Sequence, residues 1–306
     1  MKKWRMIFAI LSGLLWLALT VPEPGHCAEQ FRLIRQFHPG DHYNVKVYAN
    51  YKIAQQSPDG KIEMAVVYGY GFNYETVAVD SRHNSLNRIQ LHSMLMRLTS
   101  PLGTLLDFDS SDPFRPETEE NAIFDALLGF TYEVKINPAG KVTSVQGIDA
   151  MIKRLKRTLP NTPKKQETLQ NLKSQFNYQS MVGLADNLNL YPPHPVAVGD
   201  SWQGIHQFST GGMLMMTEDR YEILERRDGR VRIKVSSTMK PSLTNGPKAM
   251  EMGGRQWGEL EILEENGWVN RLLLHQEILG NPPDSAPTAP DQFLMEGTVM
   301  LEPFPI

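Results

Sequence analysis

"WGELEILEENGWVNRLLLHQEI", from Trp257 to Ile278, decides the fold class. In its first half Gly258, Leu260 and Ile262 alternate with Glu259 and Glu261; the second half resumes a β-like run, and Asn266-Gly267 sits between them. Asn-Gly readily takes the two positive-φ positions of a type I′ turn, whose twist matches that of paired antiparallel strands. Alternation with a period of two gives a strand one apolar and one polar face, so the stretch predicts a hairpin with one buried side.

The same grammar runs outward in both directions. "VRIKVSSTM" precedes the hairpin, separated by the turn "DGR" from "MTEDRYEILERR" and before that from "GDSWQGIHQF". "FLMEGTVMLEPF" follows it as a predicted edge strand, blunted by Pro303 and Pro305. In the first half, "YNVKVYANYKI" and "IEMAVVYGYGFNYETVAV" flank the turn "SPDGK", "NRIQLHSMLMRLT" and "TLLDFDSS" flank "SPLG", and "FTYEVKI" and "KVTSVQG" flank "NPAG".

Two strand-opening turns are written almost alike, "FHPGDHY" at Phe37–Tyr43 and "PVAVGDSW" at Pro195–Trp202. Each places Gly-Asp, one residue and an aromatic before a β-like run. This predicts two related curved antiparallel units, an internal repeat, joined by helices. "TEENAIFDALLG" has a Thr cap, early acidic residues and a closing Gly129. "IDAMIKRLKRT" reads as a second helix, and Asn161 or Thr162 with Pro163 opens a third whose buried stripe is Leu169, Leu172 and Phe176. "YPPHP" at Tyr191–Pro195 is a stiff link and "GNPPDSAPTAPDQ" a Pro-rich surface loop. The fold class read from this pattern is α+β, predominantly antiparallel β, with a first β-rich unit at 29–147, a helical connector at 148–194 and a second unit at 195–306.

Lys2, Lys3 and Arg5 precede the apolar run Met6–Val21, and "PEPGHCAEQ" follows it. Basic, apolar and small-residue regions in that order form a secretory signal, here 1–28, with the mature chain starting at Ala28 or Glu29. The apolar run is shorter than the roughly 20 residues that span a bilayer, which favours cleavage over an uncleaved anchor. His26 beside Cys27 fits no lipid-attachment signal. Cys27 is the one cysteine, so an exported chain without it holds no disulfide and relies on its core. A net charge of −3 gives no footprint for a polyanion. The expected location is periplasmic or secreted.

Several constellations invite a chemical reading, and each has a plainer one. Gly199-Asp200-Ser201 resembles the GDS block of a lipase-esterase superfamily, but that chemistry needs a His delivered by a late Asp-x-x-His. The last His, His275, has Leu272 at that offset, and no G-x-S-x-G is present. His38, Asp41 and His42 could share a metal only with further ligands that the spacing does not supply; His194 and His206 flank the second Gly-Asp turn more loosely. The Met pairs, Met94/Met96, Met213/Met215/Met216 and Met250/Met252, suit apolar packing more than copper. "KRLKR" with Lys164 and Lys165 is a basic helix face that could meet anionic headgroups. The sequence therefore assigns no catalytic residue, no metal ligand and no cofactor.

The export signal, "LLGFTYEVKINPAGKVTSVQGID" and "YPPHPVAVGDSW" together resemble an uncharacterised bacterial family of exported, often lipid-anchored β-rich proteins known only as a domain of unknown function. Its members carry a Gly-strand-Gly-Lys-Val hairpin ending in Val-x-Gly, then a helix, then Pro-Val-x-x-Gly-Asp-x-Trp. The resemblance covers most of the mature chain and brings no catalytic residue with it. Long amphipathic strands with Met-rich and aromatic stretches predict a non-enzymatic envelope protein whose partner is an apolar small molecule or lipid, or another envelope protein. Peripheral contact with a membrane surface is compatible with this, and nucleic acid is not a partner. A hydrolase assembled only by the fold, and a structural or assembly factor, are the rival expectations.

Overall fold

The computed structural model describes residues 29–304 apart from 58–59, 139, 160, 162–164, 167–168, 171–190, 211–212, 242–250 and 282–291. The chain divides into residues 1–30 and residues 31–306, and the account below concerns the second part. The predicted signal, most of the third helix and most of the Pro-rich loop lie outside the described residues.

The strands are β1 (His42–Ser57), β2 (Gly60–Val79), β3 (Ser85–Ser100), β4 (Gly103–Asp109), β5 (Thr131–Ile136), β6 (Val142–Gln146), β7 (Ser201–Thr210), β8 (Met213–Arg227), β9 (Arg230–Pro241), β10 (Glu251–Leu263), β11 (Val269–Asn281) and β12 (Gln292–Pro303). The helices are α1 (Glu119–Leu127) and α2 (Ile148–Thr158). All strands pair antiparallel in one sheet ordered β6-β5-β3-β2-β1-β12-β11-β10-β9-β8-β7, with β4 sharing the outer edge of β3. The chain is thus mostly antiparallel β with few helices.

One feature differs from the sequence reading, the place of β12. The two halves share one sheet, because β12 pairs along β1 from Val45↔Pro303 to Gln56↔Gln292 and pairs with β11 on its other side. For the same reason β12 is a central strand and not an edge; Pro303 sits at its last position, where the missing N–H removes little from the ladder. Sequence alternation identifies a strand but not its neighbours, and β1 and β12 are far apart in the chain.

The two Gly-Asp turns have the same construction. Gly40 N donates to Thr76 O and Gly199 N to Ile223 O; Asp41 N and Asp200 N each donate to the carbonyl three residues back. Both aspartates accept from the backbone N–H three residues earlier, at 2.8 Å. Gly40 and Gly199 lie in the left-handed region at φ 89° and 92°, which glycine enters without a Cβ penalty. Each turn therefore locks the start of one strand, β1 or β7, to the far end of its hairpin partner.

One face of the sheet is buried and the other solvated. Along β9 Val231, Ile233, Val235, Ser237 and Met239 are buried, while the intervening residues are exposed. The solvated face carries cross-strand ion pairs such as Arg255–Glu277, Lys240–Glu218 and Arg230–Glu261. At the β2–β6 end the buried face packs against the helices. Thr118 caps α1 through Asn121 N, and Met151 and Leu155 of α2 join Ile89, Phe108 and Val134 in one apolar cluster. No described helix is long and apolar enough to cross a membrane.

Candidate functional site

On the buried face of β7–β12 and β1 polar groups and glycines interrupt the apolar pattern, and one interruption on each strand lines up with one on the next. The pairing runs Gly204↔Asp219, Asp219↔Ser237, Ser237↔Gln256, Gln256↔Gln276, Gln276↔Gly297 and Gly297↔Tyr51, a transverse row crossing seven strands. On one side lies the row Trp202, Tyr221, Val235, Gly258, Leu274 and Val299. On the other lie Thr217, Met239, Ile278 and Met295, of which Met239 and Ile278 pack with Met215 and Phe293 in a separate apolar cluster. A polar band therefore runs between two largely apolar bands.

Hydrogen bonds connect the row side to side. The Tyr51 hydroxyl donates to Gln276 Oε1, Gln276 Nε2 donates to Gln256 Oε1 at 2.9 Å, and Gln256 Nε2 donates to Ser237 Oγ at 3.1 Å. Tyr51 reaches Gln276 because its ring lies across the intervening strand at Gly297. A Cβ there would stand 2.3 Å from Tyr51 Cδ1 and 2.3 Å from Asn50 O, closer than packed atoms approach. The ring of His206 similarly lies over Gly204, whose Cβ would meet His206 Cε1 at 3.1 Å.

Asp219 anchors the far end. Its Oδ2 meets His206 Nδ1 at 2.5 Å and accepts from Thr217 Oγ1 at 3.0 Å and Tyr221 OH at 3.2 Å. Burial pushes the Asp219 carboxyl up, but the bond from His206, then Ser237, the His206 charge and Thr217, outweigh it and hold the group below its ordinary range. Ser237 thus acts on the carboxylate from nearby, yet lies outside bonding geometry with Oδ1, which is buried without a hydrogen-bond partner among the described residues. Burial, followed by the charge of Asp219, raises Tyr221 far above the usual phenol range, so its hydroxyl stays a donor.

The residues singled out from sequence fall elsewhere, with one exception. Ser201 opens β7 and is exposed, in keeping with a strand-opening turn. His38 and Asp41 form an exposed pair at 3.4 Å, His42 is exposed, and no group of three His, Cys, Asp or Glu among the described residues is arranged to hold a metal. His194 is exposed, whereas His206 enters the row. Met94 and Met215 are core residues, and Met96 accepts from Tyr70 OH at 3.6 Å. The side chains of Met213, Met250 and Met252 lie outside the described residues. In the basic helix Lys153, Lys156 and Arg157 are exposed, Arg154 Nη2 donates to Leu128 O, and Lys165 Nζ donates to Leu159 O. Asp219, Ser237, Gln256, Gln276 and Tyr51 went unread in the sequence, although each is a polar group at an inward position of an alternating strand.

A family described only as a family of unknown function (DUF6263) matches residues 86–269. No curated protein matches the sequence. Among solved structures, lipovitellin, studied for its lipid-protein interactions, is 11% identical with a TM-score of 0.49, covering 88% of this chain and 26% of its own. This chain thus spans about a quarter of the lipovitellin chain's length. An outer membrane channel from Pseudomonas putida F1 is 8% identical with a TM-score of 0.24, covering 92% of this chain and 99% of that one. DynF from the dynemicin pathway of Micromonospora chersina is 8% identical with a TM-score of 0.22, covering 93% and 89%.

Proposed function

We propose that this chain, which belongs to the family of unknown function DUF6263, is an exported, non-enzymatic binding protein for an amphipathic and largely apolar molecule of the lipid class. The ligand lies along the buried face of β7–β12, its apolar parts against the two apolar bands and its polar group at the row from Tyr51 to His206. The observation that carries the reading is the Asp219 Oδ1 oxygen, buried and unpartnered within an otherwise bonded row. A buried acceptor without a donor is unfavourable, and a ligand hydroxyl or N–H would satisfy it. Apolar bands on either side select against fully polar molecules, because those would lose hydration without replacement.

Organic extraction of the full-length protein purified from envelopes, followed by mass spectrometry, tests this. A hydroxyl- or amide-bearing lipid is expected at near-stoichiometric yield. A clean extract, together with no uptake of lipid from detergent micelles, would discard the reading.

The buried His206–Asp219 pair favours a second reading, a hydrolase assembled by the fold. A His-carboxylate pair can orient a general base, but it also needs a nucleophile on the imidazole. Among the described residues the Thr217 and Tyr221 hydroxyls donate to the carboxylate instead. Turnover of p-nitrophenyl esters that vanishes in His206→Ala would establish hydrolysis; equal background rates in both proteins would eliminate it.

A further inference from the structure

On the solvated face of the sheet charges pair across strands, Arg255 with Glu277, Lys240 with Glu218, Arg230 with Glu261 and Arg232 with Glu225. One patch departs from this pattern. It lies where β10, β11, β12 and β1 run side by side, behind the polar row, and consists of two outward registers, Trp257↔His275↔Thr298↔Asn50 and Arg255↔Glu277↔Glu296↔Lys52.

Its aromatic residue is left in water. Trp257 is 42% exposed, whereas Trp202 and Trp268 are buried. His275 stacks on the indole at 5.8 Å and Arg255 Cζ lies 5.1 Å from its ring centroid, so the ring is held in place at the surface. Glu277 and Glu296 stand directly opposite each other, which is unfavourable in a sheet. Arg255 neutralises Glu277 at 2.8 Å; Glu296, although Lys52 faces it from β1, forms an ion pair with no described residue. The side chains of Asn50, His275 and Thr298 likewise make no hydrogen bond to a described residue. Like charges side by side weaken a sheet, and a Trp half in water gains only part of its burial, so the patch points to a role outside folding.

A groove of about 340 Å³ opens over it, walled by Trp257, His275, Asn50, Lys52, Glu296 and Thr298, with Gln276 and Gly297 of the inner row at its floor. That volume is at the lower end of the range for small-molecule sites. The lining narrows the occupant. Charges balance, Arg255 against Glu277 and Lys52 against Glu296, so an ionic ligand finds no net counter-charge. Apart from the two rings the walls are polar, and a lipid tail would strip their hydration without replacing it. Lys52 donates, Glu296 accepts, and Asn50, His275 and Thr298 do both. Hydroxyl groups match such a mixture because each donates and accepts, and a pyranose ring adds C–H faces that pack against aromatic surface.

We propose that this groove on the solvated face binds an uncharged sugar of one or two pyranose rings, packed on Trp257 and His275 and hydrogen-bonded by Asn50, Glu296 and Thr298. The groove and the row from Tyr51 to His206 occupy opposite faces, so this site and the lipid reading can each fail alone.

Saturation-transfer difference NMR on the full-length protein with glucose, N-acetylglucosamine, maltose, cellobiose, lactose and N,N′-diacetylchitobiose tests the site. Saturable transfer to the ring C–H protons of at least one sugar is expected, with a Kd raised about tenfold or more in Trp257→Ala and recovered in Trp257→Tyr. Silence from every sugar overturns the proposal, as does binding that Trp257→Ala leaves unchanged. Should that variant fail to fold, Glu296→Ala, at an exposed position, carries the same test. A soluble glycan and a glycolipid headgroup offer the same chemistry, and phosphatidylcholine vesicles containing digalactosyl diacylglycerol separate them. Co-sedimentation lost in Trp257→Ala supports a headgroup, and free-sugar binding without co-sedimentation supports a soluble glycan. Co-sedimentation kept in Trp257→Ala, with no free-sugar binding, belongs to the lipid row and refutes the groove.

Discussion

The two ends of the sheet solve burial differently. At the β2–β6 end, α1 and α2 cover a cluster built from Ile89, Phe108, Val134, Leu155 and their neighbours. The polar residues nearby close on one another: Thr76 Oγ1 donates to Asn87 Oδ1, and Asn87 Nδ2 donates to Ser85 Oγ. At the β7–β12 end the buried face carries a polar row from one strand to the next, with one carboxylate oxygen left over. The first arrangement demonstrates that this chain can build a core without such a row. What the row adds is direction and chemistry: it pins strand register, and it offers polar groups to whatever lies on the face.

The contrast predicts graded responses to mutation. The largest belongs to the helix-backed end, where Leu155→Ala empties a fully buried position; a loss of about 2–5 kcal/mol in urea unfolding is expected. A loss under 1 kcal/mol would mean the end is not a close-packed core.

Asp219→Asn comes next, at about 1–3 kcal/mol, because His206, Thr217 and Tyr221 lose a charged acceptor. Its pH dependence has a definite sign. A carboxyl held below its unfolded pKa contributes stability above about pH 4, and that contribution fades as pH falls through the folded value. The gap between the two proteins should therefore narrow below pH 4, and a gap that widens there would contradict the depressed carboxyl.

A smaller effect on stability, about 1–2 kcal/mol, is expected for the double variant Gln256→Leu/Gln276→Leu, which removes both partners of one bond together but leaves the Tyr51 hydroxyl without its acceptor and Ser237 Oγ without its donor. The same variant should lose retention of a polar-headed lipid. If stability collapses instead, the row is a structural requirement and the contrast with the helix-backed end disappears.

Much of this architecture is readable residue by residue. Hairpins at Asn266-Gly267 and at Pro138-Gly140, the cap at Thr118 and the strand-opening turns at Gly40 and Gly199 all depend on a few adjacent residues, and local chemistry suffices for them. Even an unusual position leaves a trace. Ser237 stands in the alternation Val231, Ile233, Val235, Ser237, Met239. It reads as a polar residue facing inward.

The sequence by itself determined which segments are strands and where the turns between them fall, because a period of two and turn geometry are short-range properties. Only the tertiary structure decided that β1 pairs with β12, making one sheet of two halves, and that Asp219, Ser237, Gln256, Gln276 and Tyr51 fall in one row. Register between strands distant in the chain is a relation among segments. A shift of one residue would turn every side chain to the other face, and no single segment records which alignment the assembled sheet adopts.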